Sequence, residues 1–311
     1  MMLRVTCVVL GVIGCGSVTA SPKSDAGGSD AVPGDATTTC DPMAPFGTPV
    51  AVPGVATDAL VELAPRLSPD ELTIYFWGQQ GTSDTNVYVA HRAKLTDPFD
   101  MPVPVPTVST TAAESDPAIS SDGLALWFTS NRPAGTVYHI YVATRATSTV
   151  GFGTPGLVDG VNAADTTQSD VQPFVVAADS GRSELWFVSK RPPSQKTDIW
   201  HTTWNGTSFT SPVQEVAVSS ADDDFNPTLS ADRLTLYLSS TRAATGARGD
   251  FDVWRSHRSV VTDSFPAPSL VNELNTPGRD YATWLSPDNC RIYGSRPGAA
   301  NDDIFMATRQ P

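Results

Sequence analysis

One short phrase of sequence is written again and again along this chain. The stretch AISSDGLALWFTSNRP, starting at Ala118, returns as TLSADRLTLYLSSTRA from Thr228 and as WLSPDNCRIYGSRPG from Trp284. Such repetition constrains the fold more than any other feature, because each copy must build a unit that buries its apolar face on the next. Three anchors recur in a fixed order. The first is Phe-x-x-Pro, at Phe46, Phe99, Phe152, Phe209 and Phe265. The second is a Pro-x-apolar-Ser turn leading into an apolar strand, as in PRLSPDELTIYFW from Pro65 and PTLSADRLTLYLSS from Pro227. The third is a polar residue before a β-branched and aromatic pair, as in NVYVAHR from Asn86 and DIFMATR from Asp303.

Successive copies lie about 55 residues apart, near the spacing of propeller blades and above that of helical solenoid repeats. Each copy offers short runs of Val, Ile, Tyr, Trp and Phe between Asp, Gly, Pro and Ser, enough for four strands. A lone sheet of that size cannot bury both faces, whereas five arranged around an axis can. The expectation is therefore an all-β fold, a five-bladed β-propeller over residues 46–311. The last copy stops just after DIFMATR and lacks the Phe-x-x-Pro strand, while FGTPVAVP, from Phe46, stands spare at the front. That N-terminal segment is predicted to complete the last blade as its outer strand and so close the ring.

The ends of the chain speak of export. Residues 1–14 carry one positive charge, Arg4, then an apolar run too short to span a bilayer, as in a secretory signal. Val12-Ile13-Gly14-Cys15 resembles the bacterial lipobox, and the resemblance implies a mature chain beginning at lipidated Cys15. The alternative is cleavage after Ala20 as an ordinary secreted protein. Residues 15–45 have almost no large apolar side chain and read as a flexible tether. With Cys7 removed and Cys15 acylated, Cys40 and Cys290 remain as one disulfide pair, expected to pin the closing strand to the last blade. The net charge of −13 opposes binding to nucleic acid.

The Ser-Pro-Asp-Gly-like turns, the Ser-x-Arg that follows them and the Asp-Ile-Trp-like third anchors resemble the TolB-like, WD-repeat-like propeller repeats. The resemblance covers Phe46 to Arg309 and implies a propeller, without specifying a ligand, because one fold hosts many roles.

Several recurring residues invite a functional reading. The turn aspartates Asp70, Asp122, Asp179, Asp232 and Asp288 suit turn architecture, since a catalytic carboxylate is not needed in every blade. Arg132, Arg191, Arg242 and Arg296 follow the second strand, with Gln79 read at that place in the first blade. They are expected to clamp Asp198, Asp252 and Asp303 at the start of the third strand. The four histidines, His91, His139, His201 and His257, are spread over four blades and offer no convergent metal site. The Asp222-Asp223-Asp224 run reads as a solvated loop. No serine elbow, phosphate loop or Cys-x-x-Cys is present.

One register is acidic in all five copies: Glu62, Glu114, Asp170, Asp224 and Asp280. Two readings stay open. Each carboxylate pairs with an arginine or caps backbone N–H groups, or the five form a negative channel mouth for a cation such as calcium, a sugar or a basic peptide. No resident cofactor or catalytic residue is expected. The favoured function is a monomeric, lipid-anchored propeller of the bacterial envelope, periplasmic or at the cell surface, that binds an envelope protein or polysaccharide. The alternative is a glycosidase, which needs an asymmetric pair of carboxylates, or a lectin using aromatics such as Trp204.

Overall fold

A computed structural model describes residues 40–310 apart from 82–83, 134, 166, 179–181 and 195. Cys15, the signal 1–14, the tether up to residue 39 and the turn residue Asp179 lie outside the described residues. The chain forms five antiparallel sheets of four strands each. After β1 (Val50–Ala51), the first blade comprises β2 (Val61–Leu67), β3 (Thr73–Gln79), β4 (Asn86–His91) and β5 (Val103–Pro104). The second comprises β6 (Glu114–Ile119), β7 (Ala125–Ser130), β8 (His139–Thr144) and β9 (Gly156–Leu157). The third holds β10 (Asp170–Ala177), β11 (Ser183–Ser189), β12 (Asp198–Trp204) and β13 (Val213–Gln214). The fourth holds β14 (Asp224–Leu229), β15 (Thr235–Ser240), β16 (Asp252–His257) and β17 (Ser269–Leu270).

The last blade contains β18 (Tyr281–Leu285), β19 (Arg291–Pro297) and β20 (Asp302–Thr308), and its fourth strand is β1, with Val50 opposite Met306. The first strands β2, β6, β10, β14 and β18 touch one another in turn, β18 meeting β2. They therefore line the axis. Five apolar clusters fill the seams between neighbouring blades, and one of them joins Trp284, Tyr293 and Ile304 of the last blade to Leu67, Ile74 and Phe76 of the first.

The recurrent motifs have physical tasks. Asp70, Asp122, Asp232 and Asp288 each accept a hydroxyl from the serine two residues earlier at 2.5 Å. The same oxygen accepts the N–H two residues later at 2.9–3.0 Å, which closes the turn between the first and second strands. At the other edge, the arginine ending the third anchor fastens the fourth strand. Arg92, Arg145, Arg258 and Arg309 lie over Phe99, Phe152, Phe265 and Phe46, 3.9–4.4 Å from the ring centres. Each Nε also donates to a carbonyl of the turn just described, at Glu71, Gly123, Arg233 and Asn289. The third blade has Trp204 at that place, packed on Phe209 at 5.1 Å, so this tryptophan serves its own blade.

Phe46 bridges to Arg309, so the Phe-x-x-Pro spare at the front of the sequence serves the last arginine. Residues 40–45, grouped in sequence with the tether, are fastened to the last blade: Arg309 donates to the Ala44 carbonyl, and Cys40 is bonded to Cys290 across 250 residues. In the chain-entropy account, a bridge closing so long a loop stabilises by about 5 kcal/mol. The Cys40→Ser/Cys290→Ser double variant is expected to lose roughly that much unfolding free energy in urea titrations under non-reducing conditions.

Candidate functional site

The five acidic residues of the shared register are fully buried, each at 0 % exposure. Each turns back onto the loop preceding its own strand. Glu114 accepts the Thr110 N–H at 2.8 Å and its hydroxyl at 2.6 Å, and Asp280 does the same with Thr276. Asp170 and Asp224 accept the N–H groups of Ala163 and Ser220 at 2.6 Å. The oxygen that does not take the N–H meets an arginine: Arg132 on Glu114 at 2.8 Å, Arg191 on Asp170, Arg242 on Asp224 at 2.5 Å and Arg296 on Asp280 at 3.2 Å, the last without hydrogen-bond alignment. The same guanidinium groups reach the carbonyls of Val108, Val161, Val218 and Leu274.

These contacts correct the expected clamp. The arginines bind the first strand of their blade and not Asp198, Asp252 or Asp303 on the third. The ladder explains it: Glu114 stands opposite Ser130, and Arg132, two residues on, is carried back over the start of β6. Asp198 instead accepts from the Gln214 amide, and Asp252 from the N–H groups of Arg248 and Gly249. By the same register Glu62 faces Gly78, so Gln80, and not Gln79, occupies the arginine position in the first blade. The Asp222–Asp224 run is only partly a solvated loop, since Asp224 is clamped and Asp223 accepts the Thr197 hydroxyl at 2.7 Å.

Two cavities lie on the axis, and none of the five acidic residues lines either one. The first strands create them through a shared irregularity. Each carries a β-bulge, and in four blades the residue two places after the acid is left-handed: Ala64, Asp116, Gln172 and Asn226, with φ of 49–56°. A bulge re-aims its side chain, and here it aims it at the axis. The cavity at the end where the first strands enter has a volume of about 230 Å³, and Asp116, Gln172 and Asn226 line it. The Ser115 hydroxyl donates to Asp116 at 2.8 Å, while the Gln172 side-chain oxygen accepts the Asn226 N–H at 2.8 Å. Half-buried aromatics flank this polar trio: Phe225 meets Phe251 edge-on at 5.4 Å, Phe251 lies 5.5 Å from Tyr281, and Trp77 stands in the same wall.

Burial raises the pKa of Asp116, against the pull of the Ser115 and Thr129 hydroxyls and the Arg66 charge. At the opposite end a cavity of about 130 Å³ is lined by Arg66, Ser120, Ser121 and apolar side chains. No group of three or more His, Cys, Asp or Glu side chains converges among the described residues. His201 stacks on Trp186 at 4.7 Å, and His91 and His257 meet Thr73 and Thr235.

The channel residues Arg66, Asp116, Gln172 and Asn226 were not singled out in the sequence. A signal was present: between a repeated acid and a repeated proline, the bulge position and the position after the proline both change from blade to blade.

No family model and no curated protein matches the sequence. Solved structures do match in fold. An α-L-arabinofuranosidase of Podospora anserina, solved with cellotriose, superposes with a TM-score of 0.54 at 10% identity, covering 88% of this chain and 99% of that one. An α-L-arabinofuranosidase of Lactobacillus brevis gives 0.56 at 11% identity, covering 82% and 92%. TolB of Acinetobacter baumannii gives 0.44 at 14% identity, covering 80% of this chain and 54% of that one, so the chain spans about half of it.

Glu62, without an arginine, has its pKa raised by burial from 4.5 to about 7, although the Thr57 hydroxyl donates to it at 2.5 Å. A carboxyl raised on folding contributes stability that is full below its unfolded value and is lost as pH climbs through the folded one. Glu62→Gln is therefore expected to match the wild type at pH 4 and to exceed it at pH 8 by about 3 kcal/mol in urea titrations. Asp224→Ala should act the other way, losing about 3 kcal/mol by leaving Arg242 without its carboxylate.

Proposed function

We propose that this five-bladed propeller is an exported, lipid-anchored envelope protein that binds a glycan at the channel end formed by Asp116, Gln172 and Asn226, without cleaving it. The observation that carries the reading is the pairing of an aromatic wall with a polar trio on one cavity. Phe225, Phe251 and Tyr281 offer apolar ring faces of the kind sugars stack on, and the carboxylate and two carboxamides offer both donors and acceptors to hydroxyl groups. Glycoside hydrolysis ordinarily requires two carboxyl groups flanking the bond. Among the described residues Asp116 is the one carboxylate lining the cavity, and Glu62, despite its raised pKa, is held by Thr57 and is not part of that lining. The hydrolase neighbours contribute the fold. The sugar reading rests on the cavity.

The acidic register in this reading holds the blades, with no channel cation assigned to it. Anchoring through Cys15 places the cavity at the membrane without a spanning segment. Mass spectrometry of the mature N-terminus tests the anchor, and an unmodified Ser21 would overturn it.

Titration of tryptophan fluorescence with cellotriose and with arabinoxylan oligosaccharides tests the site. Saturable binding is expected, with Trp77→Ala and Asn226→Ala each weakening it about tenfold, the equivalent of about 1.4 kcal/mol. Release of reducing sugar is expected to be no greater than for Asp116→Asn. Sugar release that Asp116→Asn abolishes would instead make the protein a glycosidase, and failure of every glycan to bind would overturn the reading.

A further inference from the structure

The opposite end of the channel holds a buried cation with few partners. Arg66 follows the proline of β2 and is 3% exposed. Its Nη1 donates to the Thr228 hydroxyl at 3.2 Å, and its guanidinium lies 4.9 Å from the centre of the Phe174 ring. Its Nε is buried with no hydrogen-bond partner, and no carboxylate reaches it within ion-pair distance among the described residues. The arginines of the acidic register, Arg132, Arg191, Arg242 and Arg296, each meet a carboxylate. A guanidinium presents five donors in one plane, and leaving them unmet in an apolar interior is costly.

The space in front of Arg66 is a vestibule walled by Ile119, Phe174, Val176, Leu229, Trp284 and Leu285. Its volume, about 130 Å³, is close to that of a cavity that admits benzene. We infer that this end of the channel is a second binding site, distinct from the glycan cavity, which takes a small monocarboxylate bearing an apolar group. The carboxylate would meet the free edge of Arg66, and the apolar group would fill the vestibule.

Three features select that chemistry. A guanidinium matches a carboxylate with paired parallel hydrogen bonds. Apart from Ser120 and Ser121 the walls are apolar and solvate a second charge poorly, which disfavours sulfate, phosphate and dicarboxylates. The turn aspartates Asp70, Asp122, Asp232 and Asp288 belong to the same end of their blades, and they too oppose multiply charged anions. Burial also draws the Arg66 pKa down to about 9 against the pull of the Asp116 charge, so the group stays charged at neutral pH with no carboxylate at ion-pair distance among the described residues. The same carboxylate chemistry has two sources, a free acid and the C-terminus of a peptide ending in a branched apolar residue.

Thermal unfolding and calorimetry of the whole mature chain with isovalerate test the inference, at constant ionic strength. Wild type is expected to bind isovalerate saturably and to melt higher in its presence. Arg66→Met is expected to lose binding at least tenfold and, freed of an unpaired buried charge, to melt no lower than wild type without ligand. Ala118→Leu, which fills the vestibule and leaves Arg66 in place, is expected to weaken binding as well. Acetyl-Gly-Gly-Leu with a free carboxylate distinguishes the sources: tighter binding than isovalerate assigns a peptide terminus, and weaker binding a free acid. The inference is overturned if isovalerate does not bind, if Arg66→Met and Ala118→Leu both bind it unchanged, or if chloride produces the same response. These outcomes are independent of Trp77 and Asn226, so failure here leaves the glycan cavity untouched.

Discussion

A carboxylate with no exposed surface stands within one residue of the start of the first strand in every blade, and the rest of the molecule is arranged around keeping it satisfied. In four blades it is held by an arginine that lies two residues beyond its ladder partner or beside it, and in all five by an N–H of the preceding loop. Such a pair is weak evidence of net stabilisation, because both ions are desolvated, but breaking it strands a charge. What it fixes is position. Loop, first strand and second strand are joined at one corner, so all five first strands enter the axis in the same way.

That common entry makes the bulges line up, and the bulges make the channel. Two places beyond the acid, the chain turns left-handed and points a side chain at the axis, and four blades repeat this. At the outer edge, the arginine and phenylalanine pairs hold the fourth strands, so blade edges and blade corners carry repeated residues while the lining between them is free to differ. A symmetric frame with an asymmetric lining is how a propeller acquires a site, because no requirement of the frame dictates what faces the axis.

The same division explains what could be read from the sequence. Period, strand count, turn aspartates and the spare Phe46 were legible because they recur, and a recurring residue declares an architectural task. The Cys40 and Cys290 pair was legible by elimination among four cysteines. The arginine partner was misassigned because Arg and the third-strand Asp are both missing from the first blade, a coincidence of sequence that only ladder register resolves. Arg66, Asp116, Gln172 and Asn226 were illegible for the opposite reason. They occur once each, at positions where other blades carry Ala64, Ala118, Phe174, Thr228, Ala282 or Trp284, and a residue type that does not recur leaves no pattern to follow.

The two ends of the channel are not electrically independent. The Arg66 charge lowers the pKa of Asp116, and Asp116 in turn raises that of Arg66, although the two belong to opposite cavities. Linkage makes this interaction reciprocal. An anion that neutralises Arg66 weakens one of the pulls toward the ionised form of Asp116, and so favours the protonated carboxyl, a hydrogen-bond donor in place of an acceptor. A ligand that binds by donating to the Asp116 carboxylate is thereby weakened when the far end is filled, and one that binds by accepting from it is strengthened. The sign of the coupling depends on which hydrogen-bonding face the ligand presents to Asp116, and a charge–charge interaction of this kind requires no movement of the blades.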